Sequence, residues 1–122
     1  MRLDLHLPYD LAPGWLAPHV DGLREGRAVA SRCGACGLVS FPPRRACTCG
    51  GRAEDWATLP GTAAVLARTE GRDGAFALVR LDGAATACVA VAHDLPPHAK
   101  RARLLAATGE RPALVVGPDE AP

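Results

Sequence analysis

A mainly β chain, built as an N-terminal helix, a metal-binding ribbon and a small five-stranded barrel, is predicted by three features of this sequence. Cys33, Cys36, Cys47 and Cys49 crowd into the strings CGACG and CTCGG. An apolar stripe of helical period precedes them, and short apolar runs separated by turn residues follow.

Residues 1–13 read as a short extended arm broken by Pro8 and Pro13. Trp15, Leu16, His19, Val20 and Leu23 then recur at helical spacing, with Pro13 and Gly14 ahead of them and Gly26 at the expected stop. The spacing predicts a helix over Trp15–Glu25, and the arm and helix together make a first unit, 1–26. Such a stripe packs either on its own domain or on another molecule. Trp15, Leu16 and Leu23 are therefore the partner-binding candidates.

The second unit, 27–56, is the ribbon. Arg27–Arg32 is expected to be a strand entering the first turn and Leu38–Phe41 the strand leaving it. Pro42 and Pro43 end that pairing, because proline has no N–H for a ladder. A CxxC turn offers two thiolates from one tight loop, and glycines beside the cysteines let the backbone curl toward an ion. Cys47-Thr48-Cys49 is one residue shorter than CxxC but is followed by Gly50 and Gly51. Residues 37–46 leave room for a strand to depart and return, which is zinc-ribbon spacing. The expectation is one structural Zn²⁺ held by Cys33, Cys36, Cys47 and Cys49. Two disulfides, or an iron centre of rubredoxin type, are the alternatives for the same four sulfurs. Met1–Leu11 carries Arg2, Asp4, His6 and Asp10 and so lacks the apolar core of a secretory leader; a reducing, cytoplasmic location is expected. Cys88, inside ATACVAVA, reads as a small core residue.

The third unit, 57–122, holds the runs Thr62–Thr69, Phe76–Leu81, Ala85–Ala92 and Ala113–Val116. Turn signals at 71–74, 82–83 and 94–97 separate them. Ala99–Ala107, with Lys100, Arg101 and Arg103 against Leu104 and Leu105, is expected to be a helix among these strands. That content predicts an OB-fold barrel of five strands, with an open antiparallel sheet as the competing arrangement.

Composition narrows the function. Only 4% of residues are aromatic, so large core anchors are scarce and a metal is a natural stabiliser. Net charge is +1, which demands neither nucleic acid nor an anionic surface. No apolar run approaches the roughly 18 residues of a membrane span. His6, His19, His93 and His98 are scattered, and the adjacent His93 and Asp94 are expected to point to opposite faces of a strand. No catalytic motif stands out, and four thiolates would leave zinc no open position for water. Among the basic residues, Arg44 and Arg45 are the candidates for binding phosphate groups, since guanidinium pairs well with phosphate. Nucleic-acid binding is the rival class, because ribbons and OB barrels both serve it; the shortage of stacking aromatics weighs against it.

Gly22-Leu23-Arg24-Glu25-Gly26-Arg27, Arg32-Cys33-Gly34-Ala35-Cys36-Gly37, Phe41-Pro42-Pro43-Arg44 and Cys47 together resemble the DUF35 family. The likeness runs on through Trp56, Gly61–Thr69 and Leu81-Asp82-Gly83. It implies a rubredoxin-like zinc ribbon joined to an OB-fold. It also implies a non-catalytic subunit that binds a thiolase-like enzyme in a hetero-oligomer, with acyl-CoA at or near the interface. Two departures stand out: the second knuckle is CxC rather than CxxC, and the loop between Thr69 and Phe76 is short.

Overall fold

The computed structural model describes residues 14–107 and 113–119. The arm expected over 1–13 lies outside the described residues. A 3₁₀ turn, Gly14–Leu16, leads into helix α1, Ala17–Glu25. Pro18 sits in the first turn, where its missing N–H costs nothing. Gly26 ends the helix in the left-handed region, and the N–H of Arg27 closes the last turn on the Gly22 carbonyl at 2.8 Å.

The ribbon is a three-stranded antiparallel sheet of β1 (Ala28–Cys33), β2 (Val39–Ser40) and β3 (Ala53–Leu59), in the order β2-β1-β3. The strands on either side of the first cysteine turn stand where the sequence places them. β3 was not expected. Its Glu54-Asp55 pair breaks the apolar alternation that would have marked it, and it is held by pairing with β1 along Ala28–Cys33.

Strands β4 (Thr62–Gly71), β5 (Gly74–Leu81), β6 (Cys88–Ala92), β7 (Arg101–Leu104) and β8 (Val115–Pro118) close into a barrel in the order β4-β5-β6-β8-β7. β4 pairs with both β5 and β7, which rules out the open sheet, and β6 runs parallel to β8. This is an OB-type barrel. The helix expected over Ala99–Ala107 is instead strand β7. Ala102 and Leu104 point inward while Arg101 and Arg103 point out, a period of two rather than 3.6. Ring closure demands a strand between β4 and β8, and that requirement overrides the short helical-looking run.

One core serves all three parts. Leu23 of α1, Ala28 and Ala30 of β1, Phe41, and the inward residues of the barrel form a single buried cluster. Alanines dominate the barrel interior (Ala63, Ala77, Ala90, Ala102), with Val79, Leu81 and Val116 supplying bulk. Phe41 is the largest fully buried side chain and is 0% exposed. Its backbone is clamped on both sides by the Thr86 hydroxyl, which accepts from the Phe41 N–H and donates to its carbonyl, each at 3.0 Å. The Ala85 N–H adds a bond to the Val39 carbonyl at 2.9 Å. Phe41 is thus the joint between ribbon and barrel. At the helix end, the Ala107 N–H donates to the Leu23 carbonyl at 2.8 Å. Cys88 is buried in the same core, as its apolar run predicts, and burial pushes its thiol upward.

His19 is buried against the edge of the Phe41 ring, with ring centroids 5.3 Å apart, and its Nδ1 lies 3.2 Å from the Val29 carbonyl. Burial lowers its pKa below the ordinary 6.5, outweighing that hydrogen bond. The unfolded chain therefore takes up this proton first. The stability His19 contributes is complete above about pH 6.5 and is lost as pH falls through its depressed folded value. In urea titrations at successive pH values, His19→Gln is expected to flatten the decline in stability below pH 6.5 relative to wild type. Phe41→Ala is expected to cost about 3–5 kcal/mol in the same assay, with ribbon and barrel still melting together because they share one core.

Candidate metal centre

Two turns carry the four cysteines. The first, Cys33–Gly37, leaves the end of β1: the Gly37 N–H bonds to the Cys33 carbonyl at 3.0 Å, and the Cys33 N–H bonds to the Leu38 carbonyl at 3.0 Å. The second, Cys47–Gly51, is closed by Gly50 N–H to Cys47 carbonyl and by Cys47 N–H to Gly51 carbonyl, both 3.0 Å. Gly37 at φ +77° and Gly50 at φ +93° take left-handed positions that a side chain would strain. The turns are docked to each other by the Gly34 N–H, which reaches the Arg52 carbonyl at 2.9 Å.

The missing residue of the second knuckle is absorbed by Gly50 and Gly51. The Gly51 N–H approaches the Cys49 sulfur at 3.4 Å, matching the Ala35 N–H on the Cys33 sulfur at 3.4 Å. A Cβ on Gly51 would stand 2.7 Å from the Ala35 Cβ and 2.9 Å from the Cys33 sulfur. The shorter turn therefore delivers its second sulfur only because the backbone at Gly51 can lie against the other knuckle.

All four sulfurs lie within 4.8 Å of one another. The Cys33–Cys49 and Cys36–Cys47 pairs are each 3.6 Å apart, far beyond the roughly 2.05 Å of a disulfide. A zinc tetrahedron with bonds of about 2.3 Å has edges of about 3.8 Å, so the spacing suits one ion coordinated by all four. The acid–base chemistry agrees with a cation-binding cluster. N–H groups of Cys36 and Ala35 draw the Cys33 thiol down to about 6, and the Cys49 N–H lowers Cys47. The Gly51 N–H also favours the Cys49 thiolate, but the sulfurs of Cys36, Cys33 and Cys47 outweigh it and push Cys49 up to about 12. Four negative sulfurs cannot coexist this closely without a positive charge among them. Zn²⁺ would supply that charge and leave no ligand position open.

The other sequence candidates separate. Leu23 is only 4% exposed and belongs to the chain's own core, so it offers nothing to a partner. Leu16 is exposed. Trp15 stacks on Trp56 of β3 at 4.9 Å between centroids, and the Arg45 guanidinium lies 6.0 Å from the Trp15 ring. Arg44 is exposed at the side chain while its backbone holds Ser31, its N–H donating to the Ser31 hydroxyl at 3.0 Å. The structure thus brings Trp15, Trp56 and Arg45 together. Two members of the Lys100–Arg103 cluster are paired within the chain: Arg101 with Asp82, and Arg103 with Asp119 at 3.4 Å. His93 and Asp94 do meet, at 3.3 Å, because β6 ends at Ala92 and Asp94 turns to φ +52°. Their expected opposition holds only within a strand.

Residues 20–55 match the family model of the ChsH2 rubredoxin-like zinc ribbon domain. Among solved structures, the chain is similar to a DUF35 family protein of unknown function from Sulfolobus solfataricus, at 23% identity and a TM-score of 0.63, covering 84% of each chain. It is also similar to a chain of an Ltp2-ChsH2(DUF35) aldolase, at 22% identity and a TM-score of 0.65, covering 84% of this chain and 93% of that one. At these identities the likeness establishes a shared fold. No curated protein sequence matches the chain.

Cys49→Ser is expected to abolish stoichiometric zinc, read by native mass spectrometry. Loss of the ion removes folding free energy on the order of 10 kcal/mol, as in small zinc domains. Gly51→Val, which changes no ligand, is expected to weaken zinc retention against a competing chelator because its side chain displaces the Cys33 sulfur.

Proposed function

We propose that this chain, whose ribbon match and shared fold support assignment to the DUF35 family, is the accessory subunit of a thiolase-like enzyme acting on acyl-CoA substrates. The carrying observation is that its ribbon and barrel together reproduce the fold of a DUF35 chain found in an aldolase assembly. The four-sulfur centre supports a structural role for the metal, since a closed thiolate shell offers neither a bound water nor a place for a carbonyl oxygen.

In this reading the chain docks rather than breaks bonds, and the partner supplies the reactive groups. Arg44 and Arg45 serve the nucleotide end of the thioester. Both are exposed and adjacent, and neither has an acidic side-chain partner among the described residues. A guanidinium pair of this kind meets phosphate with permanent charge and two-pronged geometry. The tilted Trp15–Trp56 pair lies beside Arg45 and gives the partner an aromatic contact there. The thiols of the ribbon suit a reducing cytoplasm, where they remain available to the ion. The barrel wall holds one aromatic, Phe76, which is a poor platform for stacking bases.

Co-expression with candidate thiolase-like enzymes is expected to yield a stable heteromeric complex with one of them. That complex should turn over acyl-CoA thioesters by condensation, thiolysis or carbon–carbon cleavage at a rate neither protein reaches alone. Arg44→Ala with Arg45→Ala is expected to raise KM for the acyl-CoA about tenfold with little change in kcat, as loss of uniform binding does. Absence of a complex with every such enzyme would refute the proposal.

A further inference from the structure

The wall formed by β5 and β6 has larger apolar side chains outside than inside. Inward positions are Ala77, Val79, Leu81, Cys88 and Ala90. Outward positions are Phe76, Leu78, Val89 and Val91, which are 38%, 37%, 62% and 41% exposed. Register pairs them into one block, Phe76 opposite Val91 and Leu78 opposite Val89. Leu66, at the β4 bulge and 45% exposed, adds a further exposed apolar side chain on the neighbouring strand. A shallow cleft of about 140 Å³ opens on this face between Ala67, Arg68, Thr69, Phe76, Leu78 and Val89. A solvent-facing barrel wall normally alternates apolar inside with polar outside.

Closure of the barrel decides how such a face is covered. β5 lies between β4 and β6 and has no free edge over Ala75–Val79, so an occupant seated on it covers the block through side chains. The exposed block is on the order of the 300–600 Å² that marks the largest functional patches on monomers. That is short of the ~800 Å² per partner that a stable interface buries. Two copies of this chain meeting here alone would hold weakly, whereas a larger partner can extend beyond the block. The border indicates its charge. Along a border that also carries Asp73 and the Arg68–Glu70 ion pair, Arg80 follows Leu78 on the outward side of β5 and Arg72 stands at the β4–β5 turn. Neither has an acidic partner among the described residues.

We infer that the outer face of β5 and β6 is the surface on which the thiolase-like enzyme docks, through an apolar patch of that enzyme bordered by carboxylates. The inference rests on the accessory-subunit reading and moves the principal contact from the helix stripe to the barrel wall. Phe76, Leu78 and Val89 form its centre, and Arg72 and Arg80 its basic rim.

The test uses the full chain and candidate thiolase-like enzymes. Leu78→Lys with Val89→Glu replaces an apolar cross-strand pair at exposed positions by an oppositely charged one, so zinc content is expected to match wild type and the barrel to stay folded while affinity for the enzyme falls at least about tenfold. Arg80→Glu is expected to weaken the complex and to abolish the steepest part of its salt dependence. If wild type assembles and the double variant, folded and zinc-loaded, assembles equally well, this surface is wrong and the accessory-subunit reading stands. If wild type assembles with no such enzyme, that reading fails and takes this inference with it. If wild type alone dimerises at micromolar concentration and the double variant is monomeric, the occupant is a second copy and the inference is overturned. As a further check, Leu16→Glu at the helix is expected to weaken assembly less than the barrel double variant does; a larger effect at Leu16 would overturn the assignment.

Discussion

Four sulfur atoms held within 4.8 Å of one another set the terms for the N-terminal half of this protein. As thiols they gain little from such proximity, and as thiolates they repel. Only a cation among them makes the arrangement favourable. The backbone is organised to accept that cation: matched N–H groups approach Cys33 and Cys49, and two glycine-closed turns bond to each other through Gly34 and Arg52. Since Cys33 is also the last residue of β1, the metal anchors the strand to which both β2 and β3 are paired.

That strand transmits the constraint to the rest of the molecule. One face of the ribbon sheet, through Ala28 and Ala30, joins Leu23 and Phe41 in the cluster that fills the barrel. The core is rich in alanine and poor in aromatics, so its few large members carry a disproportionate share of the burial. Phe41 matters most, because it fills space between the two halves while Thr86 satisfies its backbone polar groups. A ribbon of this size has almost no interior of its own. It borrows one from the barrel, and the barrel gains a lid and a helix in return.

The outer surface is divided by chemistry. The two arginines of β7 are paired within the molecule, Arg101 with Asp82 and Arg103 with Asp119, while Arg44, Arg72 and Arg80 have no such partners among the described residues. Apolar side chains collect on β5 and β6 instead of being dispersed. A four-thiolate centre, a closed barrel and a concentrated apolar face are the features on which the proposed docking role rests.

Much of this was readable from residue order alone. The cysteine turns with their glycines, the helix ending at Gly26, the strands flanking the first knuckle and four of the five barrel strands each rest on local rules of turn geometry and periodicity, which act within a few residues. What local rules could not decide depended on distant partners. Ala99–Ala107 has basic and leucine residues that suit a helix, yet barrel closure makes Arg101–Leu104 a strand. β3 carries two acids in a row and exists because β1 needs a neighbour. Leu23 and Leu16 belong to one helical stripe, but packing of the sheet beneath α1 buries one and leaves the other exposed. The outward block on β5 and β6 was equally hidden. Both faces of those strands are apolar, so alternation gives no inside or outside until the ring closes and assigns them.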